Sequence, residues 1–174
     1  MKSSYLIKIL YVIFIGVSYL AHAQDVSKIR ELIFKETNAL RTAKGLPKLQ
    51  RNDSLMNLAQ WHSENMVRYD FYDHIDHKKR SPVERAEERG VTAWRREGNR
   101  FIGISENIGM VPWFENVVGC GDTRSAEGFA KCMVNGWKKS KPHYKNIMDK
   151  KSTFLGIGLV FDKEGKGFAT QNFR

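Results

Sequence analysis

Trp137-Lys138-Lys139-Ser140-Lys141-Pro142-His143-Tyr144-Lys145-Asn146-Ile147 is the stretch on which the reading of this chain turns. Trp137 and Ile147 are large apolar anchors at its two ends. Pro142 lacks a backbone N–H, stops a preceding helix and biases Lys141 towards an extended conformation. His143 therefore sits on a stiff corner between the anchors. A histidine fixed in that way serves as a metal ligand, as a proton carrier near neutral pH, or as a residue that only hydrogen-bonds its turn.

Outward from this stretch, the composition is that of one globular domain. The 174 residues are 41% hydrophobic and 28% charged, with a net charge of +10. Lys2 and Lys8 precede and open an apolar run from Ile9 to Leu20, and Ala21-His22-Ala23 is a small-x-small cleavage site. Residues 1–23 thus read as a secretory signal peptide and 24–174 as a single domain of net charge +8, with no transmembrane anchor after cleavage. The expected location is extracellular or periplasmic. Basic residues are interspersed with acidic ones and no nucleic-acid motif is present, so nucleic acid is not an expected partner. Cys120 and Cys132 can form one disulfide in an oxidising compartment or remain as two free thiols.

Along the mature chain, Val26, Ile29, Ile33 and Leu40 mark a first helix that stops at Gly45. Asn52, Asp53 and Ser54 are alternative caps for a second, in which Leu55, Leu58, Ala59, His62 and Met66 share a face. His62 on that face reads as a core histidine with one hydrogen-bond partner. Ser81-Pro82-Val83-Glu84 is a capping box with proline at the first helical position. Residues 92–100 are polar and exposed by pattern, and Phe101–Ile104 is a short strand. The segment from Met110 to Thr123 reads as a long loop. Phe129, Met133 and Trp137 mark a fourth helix, and Thr153–Phe161 and Phe168–Phe173 form a terminal hairpin. Helices first and a hairpin last indicate an α+β domain.

Serine-hydrolase elbows, zinc-peptidase helices, phosphate loops and dinucleotide fingerprints are absent from the sequence. His74-Ile75-Asp76-His77 places two imidazoles close together, a weak metal signal. A better set is His74, Glu106 and His143, one on each of three separate segments. Two imidazoles and a carboxylate suit a divalent metal with an open position for water. Without a metal, Glu106 can orient one histidine as a base. Spacing alone does not bring the three together; Glu106 can equally pair with an amide or a lysine.

The succession of motifs resembles the bacterial branch of the CAP superfamily, the SCP-like domains named for cysteine-rich secretory proteins, antigen 5 and pathogenesis-related 1 proteins. The resemblance runs from about Ile29 to Phe173. In family order it rests on Asn38–Arg41 with Gly45–Leu49, Leu58–Ser63 with Met66, and Phe71-Tyr72-Asp73-His74. It continues through Ser81–Arg85 with Gly90, Ser105-Glu106-Asn107-Ile108-Gly109, the Trp137–Ile147 stretch, Gly156-Ile157-Gly158 and Thr170–Phe173. It implies a three-layer α-β-α sandwich with a central cleft. The cleft residues carried over by motif are His74 and His143 as metal ligands and Glu106 as the catalytic acid or base, with zinc or another divalent cation as cofactor. Eukaryotic members carry a second acid shortly after the helix tryptophan. Here Lys138, Lys139 and Ser140 stand in that region, and Tyr144 replaces a frequent arginine.

The resemblance implies three functions. The first is a secreted module binding a lipid, sterol, glycan or peptide in the cleft. The second is a metal-assisted secreted peptidase in which Glu106 activates water. The third is an interaction protein whose cleft is vestigial. The missing second carboxylate favours binding over hydrolysis.

Overall fold

The computed structural model describes residues 26–174; the signal-peptide reading of residues 1–23 lies outside the described residues. The first helix, α1, runs through residues 26–42. A two-residue strand β1 (Gln50–Arg51) leads into α2 (Asp53–Arg68), α3 (Pro82–Glu88), β2 (Trp94–Glu97), β3 (Arg100–Gly103) and β4 (Ser105–Pro112). The chain closes with α4 (Ala126–Lys139), α5 (Lys141–Ile147), β5 (Phe154–Phe161) and β6 (Lys166–Phe173).

The main sheet has the strand order β1-β5-β6-β4, with β1 parallel to β5 and the other pairs antiparallel. The register puts Leu155, Ile157, Leu159, Ala169 and Phe173 on one face. That face packs against Ile29 and Ile33 of α1 and Phe129, Met133 and Trp137 of α4, all buried. The opposite face carries Gly156 and Gly158, and α2 lies directly on them. A Cβ at Gly156 would overlap the Leu55 backbone, and one at Gly158 the Ala59 backbone. Glycine here serves close approach of helix and strand. Helices on both faces make the α-β-α sandwich.

Three segments differ from the sequence reading. Ser105–Pro112 is an outer strand of the sheet, paired along its whole length with β6, so Glu106 sits in a strand, and Met110–Pro112, expected to open a long loop, belong to it as well. Trp94–Glu97, expected only as part of an exposed polar segment, pairs with β3 as a separate hairpin. Its turn at Gly98 has φ +56, which glycine adopts at no steric cost. α4 stops before Pro142 as expected, but Lys141 is not extended: it opens α5, and Pro142 lies in the first turn of that helix, where its missing N–H has no helical partner to lose. Cys120 and Cys132 form a disulfide that ties the 113–123 segment to α4.

Candidate functional site

Glu106 is the centre of a buried polar cluster. Its side chain is 2% exposed, whereas His74 is 42% exposed. Glu106 Oε1 accepts a hydrogen bond from His74 Nδ1 at 3.0 Å. Oε2 accepts one from Arg85 Nη2 at 2.5 Å and one from Asn172 Nδ2 at 3.0 Å. His62 Nε2 lies 3.7 Å from Oε1. Burial alone would raise the Glu106 carboxyl; the His74 hydrogen bond and the charge of Arg85 lead the effects that outweigh it, and the net shift is downward. The carboxylate is therefore held ionised, with both oxygens engaged.

Each partner arrives by a local rule. Asn52 caps α2 by accepting from the Leu55 N–H. The helical period then turns His62 to the sheet side, where it is fully buried. His62 Nε2 donates to the Asp73 carbonyl at 3.0 Å, the single partner expected of a core histidine. Burial pushes its pKa down. The Ser81–Glu84 capping box forms as expected and starts α3, which carries Arg85. Arg85 Nη1 donates to the His74 carbonyl at 2.6 Å. Asp76 accepts from the N–H groups of Lys78 and Arg80 and from the Arg80 guanidinium, fixing the intervening loop. The backbone at His74 is thus clamped from two sides, by His62 through Asp73 and by Arg85 directly.

His143 comes from α5, which is tied to β4 through asparagines. Asn107 Nδ2 donates to the His143 carbonyl, and Asn146 Nδ2 donates to the Glu106 carbonyl and to Asn107 Oδ1. At the far end of α5, buried Arg41 donates to the carbonyls of Ile147 and Asp149, as well as to Pro47 and Ser152. The rings of His143 and His74 lie edge to face with centroids 6.3 Å apart. Burial lowers the His143 pKa, and the neighbouring His74 adds to the effect.

The structure thus brings His74, Glu106 and His143 together. His77 goes elsewhere, stacking on Tyr69 with ring centroids 3.7 Å apart. Arg85 and Asn172 were missed as site residues. The signal for each was its place inside a motif stretch, Ser81–Arg85 for Arg85 and Thr170–Phe173 for Asn172. Since an ionised carboxylate can only accept, His74 Nδ1 is the donor, and its Nε2 lone pair faces outward beside His143. A carboxylate behind a histidine that way orients an imidazole for a metal. His74 and His143 are the two imidazoles that would share such an ion, with ring centroids 6.3 Å apart. Among the described residues no group of three or more His, Cys, Asp and Glu side chains is arranged to hold an ion.

Residues 34–173 match the CAP family, described as the cysteine-rich secretory protein family. Two relatives come from Bacillus subtilis (strain 168). The membrane protein YlbC is 30% identical over 79% of this chain, and the protein YkwD is 27% identical over 86%. The chain spans 32% of YlbC and 48% of YkwD, less than half of either. The crystal structure of an extracellular protein containing a SCP domain from Bacillus anthracis str. Ames superposes with a TM-score of 0.61 at 26% identity. That match covers 83% of this chain and 39% of the other.

Proposed function

The chain belongs to the cysteine-rich secretory protein family, and on that premise we propose that it is an exported binding protein whose ligand seats at the His74–His143 pair. The carrying observation is the state of Glu106. Both its oxygens are engaged by His74, Arg85 and Asn172. A carboxylate that is 2% exposed and held ionised in this way orients a histidine and is poorly placed to take a proton from a solvent water. This favours binding over the peptidase reading. No helix among the described residues is long and apolar enough to cross a membrane, and the Bacillus anthracis relative is named as extracellular. Export of this chain is consistent with both.

In this reading His74 and His143 would hold a divalent cation such as zinc, which would supply a positive docking point for an oxygen of the ligand. Glu106 holds the His74 tautomer, Arg85 keeps Glu106 ionised, and Asn107 and Asn146 fix the His143 backbone. Tyr72 and Ile108 line the approach beside His143. The ligand is a lipid, sterol, glycan or peptide. The test is zinc titration of the wild type, His74→Ala and His143→Ala, with mass analysis of what the purified protein carries. The same zinc uptake by all three proteins overturns the metal site. Ligand retention unaffected by both substitutions overturns the cleft.

A further inference from the structure

β4 is an outer strand of its sheet, and side chains cap the carbonyls of three residues along its free edge. In an antiparallel pair, alternate residues point their N–H and C=O at the partner strand. The Trp113 N–H donates to the Gly165 carbonyl in continuation of the β4–β6 register. Odd-numbered residues of β4 therefore face β6, and the even-numbered ones face outward. Asn146 Nδ2 donates to the Glu106 carbonyl, Trp137 Nε1 to the Ile108 carbonyl at 2.8 Å, and Thr123 Oγ1 to the Pro112 carbonyl at 2.5 Å. Pro112 has no N–H to offer. Met110 is the one even-numbered residue whose carbonyl has no such cap among the described residues, and it is 45% exposed.

The gap opens into a groove of about 460 Å³. Ile108, Met110, Val117, Val118, Met133 and Trp137 give it apolar walls, and His143 is part of the lining. The Cys120–Cys132 disulfide holds the Val117–Gly119 wall against α4. Gly109 permits the floor: a Cβ there would collide with Met133 and Trp137. Lys139 is the one lysine or arginine in the lining, its Nζ about 4 Å from where a Cβ on Gly119 would stand, and no carboxylate lines the groove.

We infer that this groove takes an extended peptide segment, which pairs its main chain with the N–H and C=O of Met110 and carries a carboxylate beside Lys139. An uncapped strand residue inside an apolar groove is the template for strand addition, where main-chain bonds give affinity and alternate side chains fill pockets. The sealed neighbours fix where pairing begins and ends. The unbalanced Lys139 selects an acidic residue or a chain-terminal carboxylate. The inference rests on the cleft reading and names the ligand class of its His143 end.

The test titrates full-length protein with the acetylated hexapeptide Val-Thr-Val-Thr-Val-Glu, with the same peptide N-methylated at alternate residues, and with one ending in Lys, following backbone amides by NMR. Saturable shifts centred on Met110 are expected. N-methylation of the pairing face should weaken binding about ten-fold by removing a main-chain donor. Lys139→Glu, a surface change, should weaken the Glu-ended peptide about five-fold and strengthen the Lys-ended one. Binding indifferent to N-methylation overturns strand addition, as does the lack of a saturable shift at Met110 at millimolar peptide. Saturation by laurate with no peptide response reassigns the groove to lipid and overturns the inference, and so does self-association that protects the Met110 amide. Zinc uptake measured in parallel separates the two readings. Peptide binding lost with zinc uptake intact removes only this inference, while loss of both removes the cleft.

Discussion

Arg85 and Glu106 face each other inside the protein at 2.5 Å, both shielded from solvent. The two charges compensate one another where water cannot. Glu106→Gln leaves a buried guanidinium without its counter-charge and is expected to cost about 3–5 kcal/mol. His74→Ala removes one hydrogen bond from a half-exposed ring and should cost about 1–3 kcal/mol. Urea unfolding of the two variants checks the ordering. A Glu106→Gln variant as stable as wild type would show that the pair does not carry the buried charge.

Stability should fall in acid, in two stages. Folded His62 has a pKa below its ordinary 6.5 because burial disfavours its charged form. The unfolded chain then binds the proton that the folded chain resists, so stability drops as pH falls below about 6.5. His143 acts in the same direction. Folded Glu106 lies below its ordinary 4.5, so its contribution is full above that value and is lost as pH falls beneath it. Urea midpoints against pH at fixed ionic strength give the profile. His62→Gln should flatten the part above the carboxylate range and leave the acid limb.

Zinc uptake should depend on both imidazoles. His74→Ala or His143→Ala alone is expected to weaken it by at least about ten-fold, since each removes one of two nitrogen donors. Asn107→Ala tests the backbone support of His143: it frees the His143 carbonyl, and a smaller loss of uptake is expected. Isothermal titration measures all three. An Asn107→Ala effect larger than that of His143→Ala would mean that the loss comes from the fold.

Gly158→Ala should separate α2 from the sheet. The added Cβ meets the Ala59 and Gln60 backbone, which cannot rotate away. A cost of about 1–3 kcal/mol or more is expected for overpacking at such a site. His62 lies on the same helix, so the acid profile should change as well.

The 113–123 segment depends on its covalent tie to α4. Removing it in a Cys120→Ser, Cys132→Ser double variant should cost about 2–3 kcal/mol for a loop of this length. Proteolytic cuts should appear between Trp113 and Asp122, mapped by mass spectrometry. Unchanged resistance would show that Thr123 and the Val117–Gly121 bridge hold the segment unaided.

What the sequence revealed followed apolar periodicity and capping chemistry. α2 with its buried His62, the capping box of α3 and the β5–β6 hairpin all carry such signals. β4 does not, because both of its faces bury polar residues. Glu106 points at Arg85 and His74, while Asn107 points at Gln171 and Asn146. Partners 21 to 66 residues away satisfy Glu106, and no local alternation records them. β2 was missed for the opposite reason: Trp94 and Arg96 are exposed, so the hairpin has no buried stripe to read. The meeting of His74, Glu106 and His143 came from motif order. Arg85, which keeps Glu106 charged, came only from the structure.

Asn172 has a further consequence, one of timing. It sits on β6, which lies between β5 and β4, and it supplies one of the bonds to Glu106. A chain made from its amino end holds Arg85, His74 and Glu106 long before Asn172 exists. Until residues 166–173 arrive, β4 has no neighbour in the sheet and the carboxylate has no roof. Among the contacts of this site, the β4–β6 pairing and the Asn172 bond to Glu106 are therefore the last that a growing chain can make.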